Sequence, residues 1–145
     1  GIQKYRFGDR LQLHIDYDIA EYEKIMNCRI PKLTLQPILE NSIIHGVELK
    51  VGGGNLYIRF QCTKDRLLIR ISDDGVGMDE ETLKHIYDKH KVNYRSNGVG
   101  VYNVQQRLVL YYGKDYGIIY HSEKGKGTTA SVVIPGIQEE SHEKS

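Results

Sequence analysis

Two β-rich segments separated by a very short connection constrain the fold more than any other feature of this sequence. The segments are LYIRFQC (56–62) and RLLIRIS (66–72), and only TKD lies between them. β-Branched and aromatic residues favour strands, and a connection this short joins antiparallel neighbours. The sequence therefore predicts a β-hairpin at 56–72.

Three more strands are expected. Residues 11–17 (LQLHIDY) alternate apolar and polar side chains, which is the period of a strand with one buried face. Near the end of the chain, YGIIYHS (116–122) and TTASVVIP (128–135) flank the turn EKGKG and predict a second hairpin. The sequence thus predicts five strands.

Three segments show the spacing of apolar residues that is typical of helices. The first runs from about Leu33 to His45, with Gly46 where a helix would end. The second is DEETLKHIYDKH (79–90), which has acidic residues in its first turn. The third is VYNVQQRLVLYY (101–112), which stops before a glycine.

Strands and helices in this order predict an α/β two-layer sandwich. The sheet is expected to be mixed, mostly antiparallel and five-stranded, with the three helices covering one face. The 145-residue chain, 39% of it hydrophobic, is the size of one domain, which we place at 1–137 before a polar, disordered tail at 138–145. The sequence contains no P-loop motif and no regular strand–helix alternation, which excludes P-loop and Rossmann folds.

The charge balance excludes a general affinity for polyanions. Twenty basic and nineteen acidic side chains leave a net charge of +1, so nucleic acid is not an expected partner. No apolar run approaches the roughly 20 residues that span a bilayer, so this segment is expected to be soluble rather than membrane-inserted. The abrupt start, GIQKYRFGDR, leads us to expect a piece of a larger protein, which leaves room for a membrane segment elsewhere in that parent.

Three glycine-bearing turns stand beside predicted strand or helix ends: DDGVG (73–77), NGVG (97–100) and GKGT (125–128). Glycine lets the backbone approach a ligand, and amide N–H groups at a helix N-terminus bind phosphate. NGVG opens a helix, so it is the phosphate candidate. An aspartate of DDGVG only accepts hydrogen bonds, so it repels phosphate and suits the exocyclic amine of adenine.

Asn41 adds a fourth feature. An asparagine inside a predicted helix has only middling helix propensity, and its amide oxygen suits a hydrated Mg²⁺. Each feature also has an ordinary interpretation, because D-G and N-G pairs form turns and a helix asparagine can bond a neighbouring loop. The features taken singly leave both interpretations open, and their combination favours a site for a magnesium nucleotide.

The segments LQPILENSIIHG, DDGVGM, NGVGVYNVQQRL and GKGTTASVVIP closely resemble, in this order, the N, G1, G2 and G3 boxes of the GHKL (Bergerat) ATP-binding fold. The sequences of these segments are similar to those of the C-terminal catalytic (HATPase_c) domain of sensor histidine kinases of the YesM/LytS type. The resemblance extends from about residue 4 to residue 135. It implies ATP and Mg²⁺ as the cofactors.

The resemblance assigns roles to residues of the first two boxes. Asn41 matches the asparagine that binds Mg²⁺ between the ATP phosphates, and His45 matches a histidine near those phosphates. Asp73 matches the aspartate that bonds the adenine amine, while Gly75 and Gly77 match glycines that shape the pocket.

The later boxes follow in the same way. Gly98 and Gly100 match glycines under the phosphates, and the segment from about Lys91 to Asn97 matches the ATP lid, which is short here. The third box, in which a threonine hydroxyl helps to hold adenine, corresponds to Gly125, Gly127 and Thr128.

Two positions depart from the family pattern or vary within it. Ile44 stands where many relatives carry a lysine that faces phosphate, and the basic lid residues Lys89, Lys91 and Arg95 are expected to compensate for its absence. Asp74 falls on a variable position of the G1 box and is expected to be mostly solvated.

One residue separates kinase from hydrolase. ATP-hydrolysing GHKL relatives place a glutamate four residues before the N-box asparagine, one helical turn back, where it orients a water molecule. That position is Pro37 here, so the resemblance implies a protein-histidine kinase domain. Glu40 points roughly 100° around the helix from Asn41 and is a candidate for polarising the incoming histidine.

The implied reaction needs partners that this chain does not carry. The γ-phosphoryl is expected to pass to a histidine on a separate dimerisation segment of the same homodimeric parent protein, and then to a response regulator. The chain alone is therefore not expected to autophosphorylate. The alternatives are a GHKL ATPase, an anti-sigma serine kinase and a non-catalytic nucleotide-sensing domain.

Overall fold

The computed structural model describes residues 2–7, 11–17, 35–43, 52–63, 65–85 and 99–136. Within these ranges the chain forms six strands and three helices. In chain order they are β1 (Ile2–Phe7), β2 (Leu11–Tyr17), α1 (Leu35–Ser42), β3 (Gly54–Cys62), β4 (Arg66–Asp73), α2 (Glu80–Lys84), α3 (Val99–Tyr112), β5 (Gly117–Glu123) and β6 (Gly127–Pro135).

All six strands belong to one sheet, in the order β1-β2-β3-β4-β6-β5. β2 and β3 are parallel, and every other neighbouring pair is antiparallel. The hairpin predicted at 56–72 is the β3–β4 pair, and the turn EKGKG joins β5 to β6. The prediction of a mixed, mostly antiparallel sheet is confirmed.

β1 is the strand that the sequence did not reveal, so the predicted count of five strands was one too low. Among the described strands it pairs with β2 alone, at the edge of the sheet, and its residues Lys4, Tyr5 and Arg6 are all exposed. Successive strand residues face opposite sides, so both faces of β1 meet solvent there. A stretch that is exposed on both faces needs no alternation of apolar and polar residues, so residues 4–6 carry no such signal.

The helices lie where the sequence predicts them, with different ends. α1 lies inside the predicted range 33–45, whose two ends fall outside the described residues. α2 covers the beginning of the range 79–90 and is capped by Asp79, which accepts the Thr82 N–H at 2.8 Å. α3 begins at Val99, within the NGVG turn. None of the helices in the described ranges combines the length and apolar character that crossing a bilayer requires.

Alternation along the strands builds the core. The inward-facing aliphatic side chains of β4 and β6 are fully buried, and they are Leu67, Ile69, Ile71, Ala130, Val132 and Ile134. Ile38 of α1 and Val104 and Leu108 of α3 belong to the same buried cluster. Burying one large aliphatic side chain contributes about 1.5–3 kcal/mol, so this layer of contacts between helices and sheet is a major source of stability. The predicted two-layer sandwich is confirmed.

Exposed charged side chains lie on the opposite face of the sheet. Arg59 of β3 stands directly opposite Arg70 of β4, and both are exposed. Arg59 reaches the Asp16 carboxylate at 3.8 Å. Like charges that stand directly opposite each other across two strands destabilise a sheet, so this pair weakens the β3–β4 contact.

Candidate functional site

The inward-facing row of β4 ends in a carboxylate. Its three buried aliphatic side chains are followed, at the same spacing, by Asp73, which is also buried. The register of the sheet places Asp73 directly opposite Leu56 of β3 and Thr128 of β6. Because side chains alternate between the two faces of a strand, Asp73 lies on the inward face, at the end of the core.

One oxygen of the Asp73 carboxylate is bonded and the other is not. The Gly75 N–H donates to Oδ1 at 2.9 Å. Oδ2 is buried and has no hydrogen-bond partner among the residues that the structure describes. Burial raises the pKa of Asp73 above its ordinary value and the charge of Asp74 adds to the rise, whereas hydrogen-bond donors on Gly75, Ser42 and Thr128 oppose it.

This arrangement favours one kind of ligand. A buried acceptor without a donor costs about 1–3 kcal/mol, and more when it carries a charge. A ligand that brings an N–H group to Oδ2 removes that cost. A phosphate group offers only acceptor oxygens and a negative charge, so it does not fit here. A flat heterocycle with an exocyclic amine does.

Ser122 joins the two loops that border this carboxylate. The Met78 N–H, just beyond DDGVG, donates to Ser122 Oγ at 2.7 Å. Ser122 Oγ donates to the Gly127 carbonyl at 3.1 Å, and it lies 2.7 Å from the Thr128 hydroxyl. Since the Ser122 proton is directed to the carbonyl, Thr128 is the donor in the third bond. Ser122 thereby fixes the rotamer of the threonine that stands opposite Asp73.

Reasoning from the sequence missed Ser122, although a signal was present. In β5 the residues Ile118 and Tyr120 are buried, and Ser122 continues that row at the same spacing. A small hydroxyl at an inward-facing position needs a hydrogen-bond partner, which the neighbouring loop supplies.

Two of the predicted glycines hold the loops against each other. Gly77 has φ +72°, and a Cβ there would overlap the Glu123 carbonyl oxygen. Gly127 has φ +131°, and a Cβ there would overlap the Asp73 carbonyl oxygen. Gly125, with φ +88°, is in an exposed turn where a Cβ would meet open space. Gly77 and Gly127 thus permit close contact between backbones.

Asp74 is not mostly solvated, and that prediction was wrong. The residue is half-buried, and both of its carboxylate oxygens accept hydrogen bonds from Asn55. Asn55 is a second residue that sequence reasoning missed. No local pattern marks it, because its contact with Asp74 depends on the pairing of β3 with β4.

α1 brings the predicted metal ligand close to Asp73. This helix packs on β4 and α3, and Asn41 within it is 7% exposed. Its neighbour Ser42 is also buried, and the Ser42 hydroxyl opposes the rise in the pKa of Asp73. Glu40 is exposed, so it does not share this buried position. A buried amide oxygen is a hard ligand of the kind that Mg²⁺ accepts, and Asn41 therefore fits the metal role assigned to it.

Some of the remaining predicted site residues lie within the described residues and others lie outside them. Gly75 is buried in the DDGVG turn, and Gly100 lies in the first turn of α3. The predicted positions that fall outside the described residues are His45, Lys91, Arg95 and Gly98, together with Lys89 and the lid segment 91–97.

Residues 30–138 match the family described as "Histidine kinase-, DNA gyrase B-, and HSP90-like ATPase" (HATPase_c), which is most of the chain. The chain belongs to this family. The GHKL resemblance of the four boxes is thereby confirmed, and ATP is identified as the nucleotide of this HATPase_c domain.

Several curated relatives of this HATPase_c domain are described as sensor proteins or sensor histidine kinases. Sensor histidine kinase YesM of Bacillus subtilis (strain 168) is 34% identical over 134 residues, which cover 92% of this chain and 21% of that protein. Sensor protein LytS of Oceanobacillus iheyensis is 32% identical over 136 residues, which cover 92% of this chain and 22% of that protein. The chain thus spans about a fifth of the length of these relatives.

Solved structures share the fold at low sequence identity. The catalytic domain of histidine kinase ThkA, in a nucleotide-free form, has a TM-score of 0.58 at 14% identity and covers 86% of this chain and 71% of that chain. The Erythrobacter litoralis EL346 blue-light activated histidine kinase has a TM-score of 0.56 at 19% identity and covers 94% of this chain and 38% of that chain. These similarities confirm the fold class.

Proposed function

We propose that this chain is the ATP-binding catalytic domain of a sensor histidine kinase, which transfers the γ-phosphoryl of ATP to a histidine on a separate dimerisation segment. A response regulator then receives the phosphoryl group. The similarity to sensor histidine kinase YesM and to sensor protein LytS extends over 92% of the chain, which supports this proposal. We place the chain in the cytoplasmic part of a homodimeric membrane sensor.

The single observation that carries the nucleotide site is the buried Oδ2 of Asp73, which has no hydrogen-bond partner in the described part of the chain. The 6-amino group of adenine supplies the N–H donor that this oxygen needs. Thr128, directly opposite Asp73 and fixed by Ser122, directs its oxygen to the same end of the sheet. These residues bind and orient the base.

The phosphates are assigned to the other side of the pocket. Asn41 on α1 would hold Mg²⁺ through its amide oxygen, and this ion neutralises charge on the phosphates when bound. Gly98 and Gly100 at the start of α3, His45, and the lid residues Lys91 and Arg95 are proposed phosphate contacts. Gly75, Gly77, Gly125 and Gly127 shape the loops around the base.

The protein's contribution to transfer is positioning. Phosphoryl transfer needs the donor held in line with the incoming nucleophile and its charge neutralised. Pro37 lies in α1 at the position where hydrolases carry their glutamate, so no side chain there orients water. This favours transfer to a histidine over hydrolysis. Glu40 is exposed on α1 and is proposed to polarise that incoming histidine.

Transfer in trans tests the proposal. The chain is mixed with Mg²⁺, γ-labelled ATP and the dimerisation segment of its parent protein, and the label is followed on protein. Acid-labile, base-stable phosphohistidine on the dimerisation segment is the expected product. Label on serine would support the anti-sigma kinase alternative, and free phosphate alone the ATPase. Binding of ATP without either product would support a nucleotide sensor.

A further inference from the structure

The second acid of DDGVG is held by an unusually complete set of hydrogen bonds. The Asn55 N–H donates to Asp74 Oδ1 at 2.7 Å, and the Asn55 side-chain amide donates to Oδ2 at 2.9 Å. In return, the Asp74 N–H donates to the Asn55 carbonyl at 3.2 Å. Two of these three bonds reach a charged acceptor, and bonds of that kind are stronger than neutral ones.

A third residue braces this pair from the neighbouring strand. His14 Nε2 lies 2.9 Å from Asn55 Oδ1. Because the amide nitrogen of Asn55 must face the Asp74 carboxylate, its oxygen must face His14, and Nε2 must therefore carry the hydrogen. The His14 ring also stacks on Tyr57, with ring centroids 4.6 Å apart. The Asn55 side chain is thus held from both ends.

These contacts bear directly on the aspartate that faces the core. Asp73 and Asp74 share one peptide bond, and their side chains point to opposite faces of the sheet. Asn55 holds this peptide from one side, and Gly127 lies against it from the other. The backbone of Asp73 determines where its Oδ2 points, so the contacts of Asp74 set the direction of that oxygen.

We propose that the Asn55–Asp74 pair, braced by His14, is a positioning device that gives Asp73 its discrimination between 6-amino and 6-oxo purines. This inference rests on the proposed function, since it takes Asp73 as the residue that reads adenine. The role proposed for the three residues requires no contact between them and the nucleotide. Their effect is to keep the buried acceptor aimed at a donor and away from an acceptor.

The test compares ATP with ITP, whose base carries an oxygen in place of the amine. Dissociation constants of both nucleotides are measured for the chain by calorimetry with Mg²⁺ present. The wild-type protein is expected to bind ITP about 10-fold or more weakly, because a charge-assisted bond is lost and an acceptor meets an acceptor. In the variants Asn55→Ala and Asp74→Asn, the ratio of the ITP dissociation constant to the ATP dissociation constant is expected to fall by about 5-fold or more, since small displacements of an aimed group are costly.

The proposal requires that these variants lose affinity for ATP and not for ITP. A purely structural role for the pair would weaken both nucleotides together and would leave their ratio unchanged, which would overturn the inference. Asp16→Asn is the matched control, because it makes the same chemical change on the same face of the sheet. Its ratio is expected to equal that of the wild-type protein.

An exchange of the two side chains keeps the test decisive if a single variant unfolds. In the double variant Asn55→Asp/Asp74→Asn, the amide now at position 74 donates to the carboxylate now at position 55. The position 55 N–H still finds an oxygen, and His14 Nε2–H meets a carboxylate oxygen. The preference for ATP over ITP is expected to return. Its continued loss in a folded double variant would refute the positioning role of the Asn55–Asp74 pair. His14→Gln, which keeps a donor, is expected to retain more discrimination than His14→Leu.

The two proposals fail in different ways. A wild-type chain that binds ATP and ITP equally would overturn the assignment of Asp73 as the adenine reader. If the wild-type chain prefers ATP and the single variants at Asn55 and Asp74 keep that preference, only the positioning role of this pair is overturned.

Discussion

Replacing Asp73 by Asn removes one buried charge and reverses the polarity of one atom while hardly changing the volume of the side chain. The Gly75 N–H needs an acceptor, so the amide oxygen takes the place of Oδ1 and the NH₂ group takes the place of Oδ2. A donor then faces the adenine amine. Losing a hydrogen bond to a charged group costs about 1.5–3 kcal/mol, which weakens ATP binding about 10- to 100-fold.

The same change has the opposite effect on stability. Burial raises the pKa of Asp73 above its ordinary value of about 3.8, so the folded protein holds this proton more tightly than the unfolded chain does. Stability is therefore lost as pH rises from that ordinary value through the folded-state pKa. An unpaired amide costs less than an unpaired charge. Asp73→Asn is thus expected to unfold at a higher denaturant concentration than wild type at pH 7.

Calorimetric titration with ATP and urea unfolding at pH 7 and pH 4 measure both effects. Asp79→Asn is the matched control, because it changes an exposed carboxylate to an amide at a helix N-cap, where both side chains cap well. The control is expected to keep wild-type ATP affinity. If Asp73→Asn bound ATP like wild type, or if it were markedly less stable at pH 7, the reasoning about the unpaired Oδ2 would be wrong.

Three further outcomes are expected. Asn41→Ala should lose phosphoryl transfer and the Mg²⁺ dependence of ATP binding while keeping part of the Mg²⁺-free affinity, and unchanged transfer would exclude the metal role. Gly77→Ala should lower the free energy of unfolding by several kcal/mol or prevent folding, because both φ and the neighbouring carbonyl oppose a Cβ, whereas Gly125→Ala should cost only about 1–2 kcal/mol because φ alone opposes it. Arg70→Thr should raise the free energy of unfolding by about 0.2–1 kcal/mol, most clearly at low salt, because it removes the charge opposite Arg59; a decrease would contradict the repulsion.

The sequence predicts those parts of the fold and site that depend on a local period. Residues 11–17 alternate apolar and polar side chains, residues 66–72 are rich in residues that favour strands, and both segments are strands in the structure. Continuing the period of β4 by one step beyond Ile71 leads to Asp73, which is buried in the structure. The helices follow in the same way, although their ends depend on capping and packing.

Contacts between distant strands could not be predicted in this way. Ser122 and Asn55 act on neighbouring loops through hydrogen bonds that span 44 and 19 residues of sequence. Those bonds exist only in one register of the sheet, which no single segment specifies. The same reason explains the error at Asp74, whose partner is brought to it by the β3–β4 pairing.

The interlocked glycines limit how this domain can be redesigned. The Gly125 N–H donates to the Val76 carbonyl at 2.7 Å, so the β5–β6 turn and the DDGVG loop are fastened main chain to main chain. The structure can relax around a substituted side chain. A residue inserted into either loop would have to break the main-chain contact between the loops. A longer loop grafted onto the β5–β6 turn would displace Asp73, whereas β1, at the other end of the order of described strands, offers a graft position that leaves this junction untouched.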